Sequence, residues 1–266
     1  MELLQSILRA VVGGLLGLFG EHVMAGLAVV SALAGVGMLW LFGRTSNQAA
    51  IRRTKRRLQA HLLELRLFGD EPSLIWKAQA GLLAYNAKYI ALMLVPVAIL
   101  SVPMVLLLMH LESFYGMRPL PVGEEAIVTV QMRGALEAKL EAPEGIAVET
   151  PGVRVPSEQQ VSWRIRPVKE GSGALRVVTP EGAFEKQIAA GGGWRYVSDR
   201  RVSSAWDLVW HPAEKRLPGG RVEWIEVRYP PAEVAWLGLE THWLVWFLVF
   251  SMAAALVLKG RFKVAF

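Results

Sequence analysis

The stretch IALMLVPVAILSVPMVLLLM, residues 90–109, decides the fold, because 20 consecutive residues carry no charge. A second uncharged stretch of 21 residues lies at 23–43, and a third of 16 residues lies at 243–258. A hydrocarbon core about 30 Å thick takes about 20 helical residues. The sequence therefore predicts three transmembrane helices, placed at 23–43, 89–110 and 237–258. The competing interpretation of each is a buried helix of a water-soluble domain.

The flanks of the third stretch favour a membrane span. A basic tail follows it at 259–266. Tryptophans that fit an aromatic belt at the membrane interface precede or begin it, namely Trp236, Trp243 and Trp246.

Composition and the distribution of charge predict how the chain is oriented. Apolar residues make up 53% of the chain, the mean hydropathy is +0.34 and the net charge is +6. Residues 44–88 carry nine basic and three acidic side chains, whereas residues 110–242 carry sixteen and eighteen. By the positive-inside rule, 44–88 and the tail are cytosolic, and the large segment and the N-terminus lie outside. We expect a multi-pass protein of the cell inner (plasma) membrane.

Residues 1–22 place polar side chains at spacings of three or four among leucines and valines. This pattern is typical of an amphipathic helix that lies in the membrane interface. A fourth transmembrane helix is the alternative.

Residues 44–88 predict a cytosolic helical hairpin with coiled-coil-like spacing and a turn at 69–72, GDEP, where glycine ends one helix and proline begins the next. The first helix has an apolar seam of Ile51, Leu58, Leu62 and Leu65. Its outer face carries the basic run of Arg52, Arg53, Lys55, Arg56 and Arg57. That run is a solvated, orienting face, a surface for anionic lipid, or a surface for ribosomal RNA, and the sequence does not separate these interpretations.

Between residues 119 and 231 the pattern changes to short runs of alternating apolar and polar residues, bounded by proline and glycine. Such alternation predicts an antiparallel β-sandwich outside the cytosol. We expect four tryptophans to pack in its core: Trp194, Trp206, Trp210 and Trp224.

Signals for catalysis are absent from the pattern. The five histidines show no metal-ligand spacing, and the chain has no cysteine. The glycines at 191–193 lack the lysine and serine or threonine of a phosphate-binding loop. We expect no enzyme activity, no cofactor and no metal.

The order of parts resembles the YidC/Oxa superfamily of membrane protein insertases, in particular its three-span branch from archaea and the endoplasmic reticulum, with an inserted exported β domain. The resemblance lies in the interfacial helix, the first span, the basic hairpin, the second span entered through YNAKYIALMLVPVAILSVPMVLLLMHL, residues 85–111, and a later span whose C-terminal end is cytosolic. It covers about half of the chain.

That resemblance implies a polar groove, open to the cytosol, that lets a hydrophilic client segment enter the inner leaflet. The groove would be lined by Arg44, Asn47, Asn86 and Lys88, with Arg52 to Arg57 meeting the ribosome or the client. Expected partners are membrane lipid and client membrane proteins, with the ribosome or subunits of a larger membrane complex in addition, but not DNA. The alternative function is a non-catalytic accessory subunit that docks partners through its β domain.

Overall fold

The computed structural model describes residues 10, 12–14, 19, 22–67 and 71–262. The predicted interfacial helix at 1–22 lies almost wholly outside these residues. The chain divides into two compact units: Met1–Leu27 with Leu106–Trp246, and Ala28–Val105 with Phe247–Phe266. The helices are α1 (Val23–Thr45), α2 (Gln48–Leu67), α3 (Pro72–Leu111), a π-helical turn (Glu112–Gly116), α4 (Asp207–Trp210) and α5 (Trp243–Phe262).

Three of these helices, α1, α3 and α5, are long and apolar enough to cross a membrane. Large apolar side chains of α3 and α5 are widely exposed, as in Leu94 (66%), Val102 (62%) and Val257 (81%). Soluble proteins rarely expose contiguous apolar surface of this kind, whereas lipid tails accept it. The helices thus have the character of a membrane protein, as predicted.

Helix α5 begins six residues later than the predicted span at 237–258 and ends at Phe262. The reason lies in the backbone, because Leu237 and Gly238 both have positive φ angles, which a right-handed helix does not tolerate. Residues 237–241 belong instead to a β-hairpin, described below.

Within the second unit, α1 and α5 approach closely at a point where a glycine faces a backbone carbonyl. A Cβ atom on Gly35 would overlap the carbonyl oxygen of Ser251, whereas a Cβ on Gly37 would have no neighbour within 4 Å. Small residues allow such close approach between helices in lipid.

We therefore expect Gly35→Ala to destabilise the packing of α1 on α5 by about 1–3 kcal/mol, the usual cost of overpacking. Gly37→Ala is the matched control and is expected to be neutral or stabilising, since alanine is the better helix former. Thermal unfolding of the detergent-solubilised protein measures the difference. Equal stability of the two variants would show that α1 and α5 do not pack at Gly35.

The first unit contains eleven described β-strands. In chain order they are β1 (Ala126–Met132), β2 (Lys139–Glu141), β3 (Ile146–Val148), β4 (Val153–Val155), β5 (Gln160–Pro167), β6 (Gly171–Thr179), β7 (Gly182–Ala190), β8 (Arg200–Val202), β9 (Val222–Val227), β10 (Val234–Trp236) and β11 (Leu239–Thr241).

Two antiparallel sheets share one hydrophobic core. The larger sheet has the order β3-β5-β1-β9-β8, with β4 also paired to β5, and the smaller has the order β2-β6-β7. Fully buried core residues come from both, among them Val128 and Ile225 from the larger sheet and Leu175 and Val177 from the smaller. The burial alternates along β1, as the sequence pattern requires of a strand with one face in the core. The predicted antiparallel β region is confirmed.

None of the four tryptophans expected in this core belongs to its buried cluster, whose tryptophan is Trp163. Trp194 and Trp224 are half-buried. Trp206 is 69% exposed and Trp210 is 46% exposed, on or beside α4, where Leu208 occupies the buried position. Because α4 is a single helical turn, it buries one side chain and leaves its neighbours outside.

Candidate functional site

An open groove of about 510 Å³ lies between α2 and α3, and we call it the hairpin groove. Both helices contribute polar or charged side chains to its walls. From α2 come Arg53, Thr54, Arg56, Arg57 and Ala60, and from α3 come Tyr85 and Lys88.

A close contact beside the groove holds the two helices together. The ring centroids of His61 and Tyr85 are 5.4 Å apart, and a Cβ on Gly81 would lie 2.7 Å from Cε1 of His61. The absence of a side chain at Gly81 therefore leaves room for the imidazole ring. His61 Nδ1 also lies 2.8 Å from Glu64 Oε2 of its own helix, which orients the ring. The predicted antiparallel helical hairpin is present in this form.

The hairpin keeps the predicted apolar seam at three of its four positions, because Ile51 is buried and Leu58 and Leu65 are half-buried. Leu62 is instead 53% exposed, whereas Thr54 is 3% exposed and His61 meets the other helix. Thr54, Arg57 and His61 follow one another at spacings of three and four, so they share one helix face. This face carries part of the basic run towards α3, although the sequence pattern assigned the run to the outer surface.

The hairpin groove has a strongly positive character. Four cations line it, and no carboxylate of the described residues lies within ion-pair distance of them. These cations are Arg53, Arg56, Arg57 and Lys88. Within the described helices, the acidic side chain nearest in sequence to this run is Glu64, which pairs with His61. A groove with uncompensated positive charge attracts anionic groups.

One of the four residues predicted to line a polar groove belongs to the hairpin groove. Lys88 lines the hairpin groove, whereas Arg44, Asn47 and Asn86 do not. The Arg44 guanidinium lies over the Trp40 ring, 5.4 Å from its centroid.

Asn47 and Asn86 have other positions in the fold. Asn47 Oδ1 accepts a hydrogen bond of 3.0 Å from the Ala50 amide, so Asn47 caps the start of α2. Asn86 is exposed on α3, one position from Tyr85 and therefore about 100° around the helix from it.

The basic run is likewise divided. Arg53, Arg56 and Arg57 line the hairpin groove, whereas Arg52 and Lys55 are exposed on α2 outside it. Thr54, Tyr85 and His61 were not predicted as members of one site. The spacing of Tyr85 from Ala78 and Gly81, at seven and four residues, was the signal that these small residues and the tyrosine share a face.

A second cluster of titratable side chains is buried in the β region. The Lys186 side chain is fully buried, and its Nζ donates to Glu214 Oε1 at 2.6 Å and to the Ser198 carbonyl oxygen at 2.6 Å. Burial lowers the pKa of Lys186, although the Glu214 carboxylate opposes the shift. Glu214 Oε2 also accepts from the Gln187 amide at 3.0 Å. The ammonium thus has its acceptors within the fold, which is the arrangement of a structural ion pair.

Asp199 lies near this pair and faces His211, whose Nδ1 is 3.2 Å from Asp199 Oδ1. Burial alone would raise the pKa of Asp199, but the hydrogen bond and the charge of His211 outweigh it, and the pKa is lowered. No group of three or more histidine and acidic side chains among the described residues is placed to hold a metal ion.

The fold and the groove together define a protein with three helices long and apolar enough to span a membrane, an antiparallel β region and a basic groove in a helical hairpin. No protein-family model, curated protein or solved structure matches the chain.

Proposed function

We propose that this protein is an insertase-like assembly factor of the YidC/Oxa type, in which the hairpin groove receives a polar, anionic segment of a client membrane protein. The single observation that carries the proposal is the convergence on one open groove of four cations from two helices, which form no ion pair with any described residue. Each basic residue near a surface adds about 1 kcal/mol of attraction to anionic lipid. An acidic client segment offers the same kind of counter-charge.

The geometry of α3 supports this role. Its 40 residues span about 60 Å, about twice the thickness of the hydrocarbon core. The apolar stretch at 90–109 accounts for the part within lipid, and the groove residues Tyr85 and Lys88 come directly before it. A client segment held at the groove therefore lies at the entry to the membrane.

We infer that the hairpin faces the cytosol and that the β region faces the opposite side of the plasma membrane. The excess of basic residues in 44–88 supports this orientation, because such loops are retained on the cytosolic side.

Single-cysteine labelling tests this orientation without a background signal, since the chain has no cysteine. We expect Leu67→Cys, exposed at the end of α2, to react with an impermeant maleimide only after the membrane is opened. Glu158→Cys, in an exposed turn before β5, is expected to react in intact cells. Labelling of Leu67→Cys in intact cells would overturn the orientation.

Crosslinking tests client contact directly. A photoreactive amino acid at Ala60, in the groove wall, is expected to crosslink to a nascent single-span client with a short acidic tail. The same amino acid at the adjacent, exposed Gln59 is the matched control, because it points away from the groove. Equal yields at the two positions would show that the client does not occupy the groove.

A specific observation also favours the alternative function, an accessory subunit that docks a partner. Trp206 and Trp210 expose large aromatic surfaces in the β region, and exposed tryptophans are frequent anchors of protein interfaces. The groove variants described in the Discussion separate the two functions.

A further inference from the structure

The hairpin of β10 and β11 joins the β region to α5, and its tip exposes a concentrated apolar surface. Its register pairs Val234 with Thr241 and Trp236 with Leu239, which leaves a two-residue turn of Leu237 and Gly238. Leu237 is 77% exposed and Leu239 is 62% exposed, two high values for large apolar side chains of the described residues.

The turn itself is unusual. Both central residues have positive φ angles, +52° at Leu237 and +79° at Gly238, as a type I′ turn requires. Asparagine, aspartate or glycine normally occupies the first of these positions, because at positive φ a Cβ atom lies too close to the following carbonyl oxygen, and only glycine or a side chain that hydrogen-bonds locally avoids or offsets this strain. A leucine at this position is thus disfavoured by both conformation and solvent exposure. Retained strain of this kind points to a function for the side chain.

Contacts within the first unit hold the hairpin against the start of α5. The Trp246 indole Nε1 donates to the Val234 carbonyl oxygen at 3.2 Å, and its ring meets Trp236 edge-on with centroids 5.1 Å apart. Trp246 lies three residues into α5, about 4.5 Å along its axis. Trp236, next to the tip, therefore lies beside the first turn of the helix. Trp243 and Trp246 are themselves 2% and 7% exposed, so their rings pack within the protein.

The length of the span fixes the depth of this first turn. The uncharged stretch at 243–258 has 16 residues and spans about 24 Å, less than the hydrocarbon core of about 30 Å. A short span draws its ends towards the hydrocarbon boundary. The first turn of α5, and the hairpin tip beside it, then lie at the membrane interface.

We propose that the β10–β11 hairpin is a second membrane anchor, with Leu237 and Leu239 inserted into the lipid interface of the leaflet where α5 begins. The hairpin is amphipathic, because Trp236 and Leu239 pair on one face whereas Ala235 and Glu240 pair on the opposite face. The proposal rests on α5 being a membrane span and is independent of the insertase function.

Site-specific fluorescence in liposomes tests the proposal on the full-length chain. Leu237→Cys carries an environment-sensitive nitrobenzoxadiazole label, and quenching is measured with nitroxide-labelled phospholipid and with aqueous iodide. We expect a blue-shifted emission and lipid quenching several-fold stronger than at Glu158→Cys, the exposed control turn. Leu239→Cys gives an independent second position if the turn does not accept the label.

Three results would overturn the anchor. Iodide quenching without lipid quenching places the tip in water, and protection from both quenchers places it against protein. Lipid quenching at Glu158→Cys as strong as at Leu237→Cys would show that the hairpin tip does not contact lipid selectively. Because maleimide labelling at Leu67 tests the spans separately, failure of the anchor is distinguishable from failure of the membrane topology.

Discussion

Replacing all four groove cations by glutamine, in the variant R53Q/R56Q/R57Q/K88Q, is expected to reduce client insertion at least tenfold. Each cation contributes about 1 kcal/mol of attraction to an anionic surface, so the four together contribute up to about 4 kcal/mol. A loss of 1.4 kcal/mol already weakens binding tenfold. Glutamine retains a polar groove wall, and therefore the variant separates charge from polarity. The measurement is insertion of a short-tailed acidic client into proteoliposomes.

The hairpin supplies a control with the same change in net charge. R52Q/K55Q/R66Q/K77Q removes four exposed basic side chains that do not line the hairpin groove. If attraction to the surface in general drives recruitment, both variants lose activity to the same extent, and the loss disappears at high salt. If the groove binds the client, only the first variant is impaired. If both glutamine variants insert the client as well as the wild type does, and W206A/W210A loses partner binding, the accessory docking subunit is the function that fits.

Removing the carboxylate of the buried ion pair is expected to destabilise the β region by about 3–5 kcal/mol, because Glu214→Ala leaves the fully buried Lys186 ammonium without its counter-ion. The double variant K186M/E214Q removes both charges and is expected to be the more stable of the two. Urea unfolding of the nanodisc-embedded protein, followed by tryptophan fluorescence, measures the free energy of unfolding.

The pH dependence of Glu214→Ala provides a second criterion. Burial lowers the pKa of Lys186 below its ordinary 10.5, so the unfolded state binds more protons in the interval beneath that value. The stability of the variant should therefore rise as pH rises from 7 towards 10. As the control, Glu141→Ala breaks an exposed pair with Lys139 at 4.0 Å and is expected to cost at most about 1 kcal/mol. Equal losses for Glu214→Ala and Glu141→Ala would contradict a structural role for the buried pair.

The sequence by itself determined the long helices and the antiparallel β region. Their signals are local: an uncharged run such as 90–109 has a length that only a membrane or a large core accommodates, and alternating burial follows from the period of a strand. The helical hairpin was also predictable, since glycine, aspartate and proline mark a turn between two periodic segments. The start of the third helix was predicted six residues too early, at 237 instead of Trp243. The residues around Leu237 give no local sequence signal for a positive φ angle.

The candidate groove depended on tertiary structure. The room that Gly81 leaves for His61 lets α2 and α3 approach each other, with Thr54 buried and Arg57 exposed at the groove. A heptad pattern favours the leucine face by hydrophobicity alone and contains no information about such a close approach.

Pairing between distant residues of the β region could not be predicted from the sequence either, because local periodicity contains no information about contacts between distant segments. The partner of Lys186 lies 28 residues away along the chain, and its burial arises only when the two sheets and the 213–217 segment pack together. Likewise, Trp246 and Trp236 meet only because the hairpin folds back on α5. Periodicity along one segment determines its secondary structure and its apolar face, whereas steric fit and charge pairing between distant segments determine the sites.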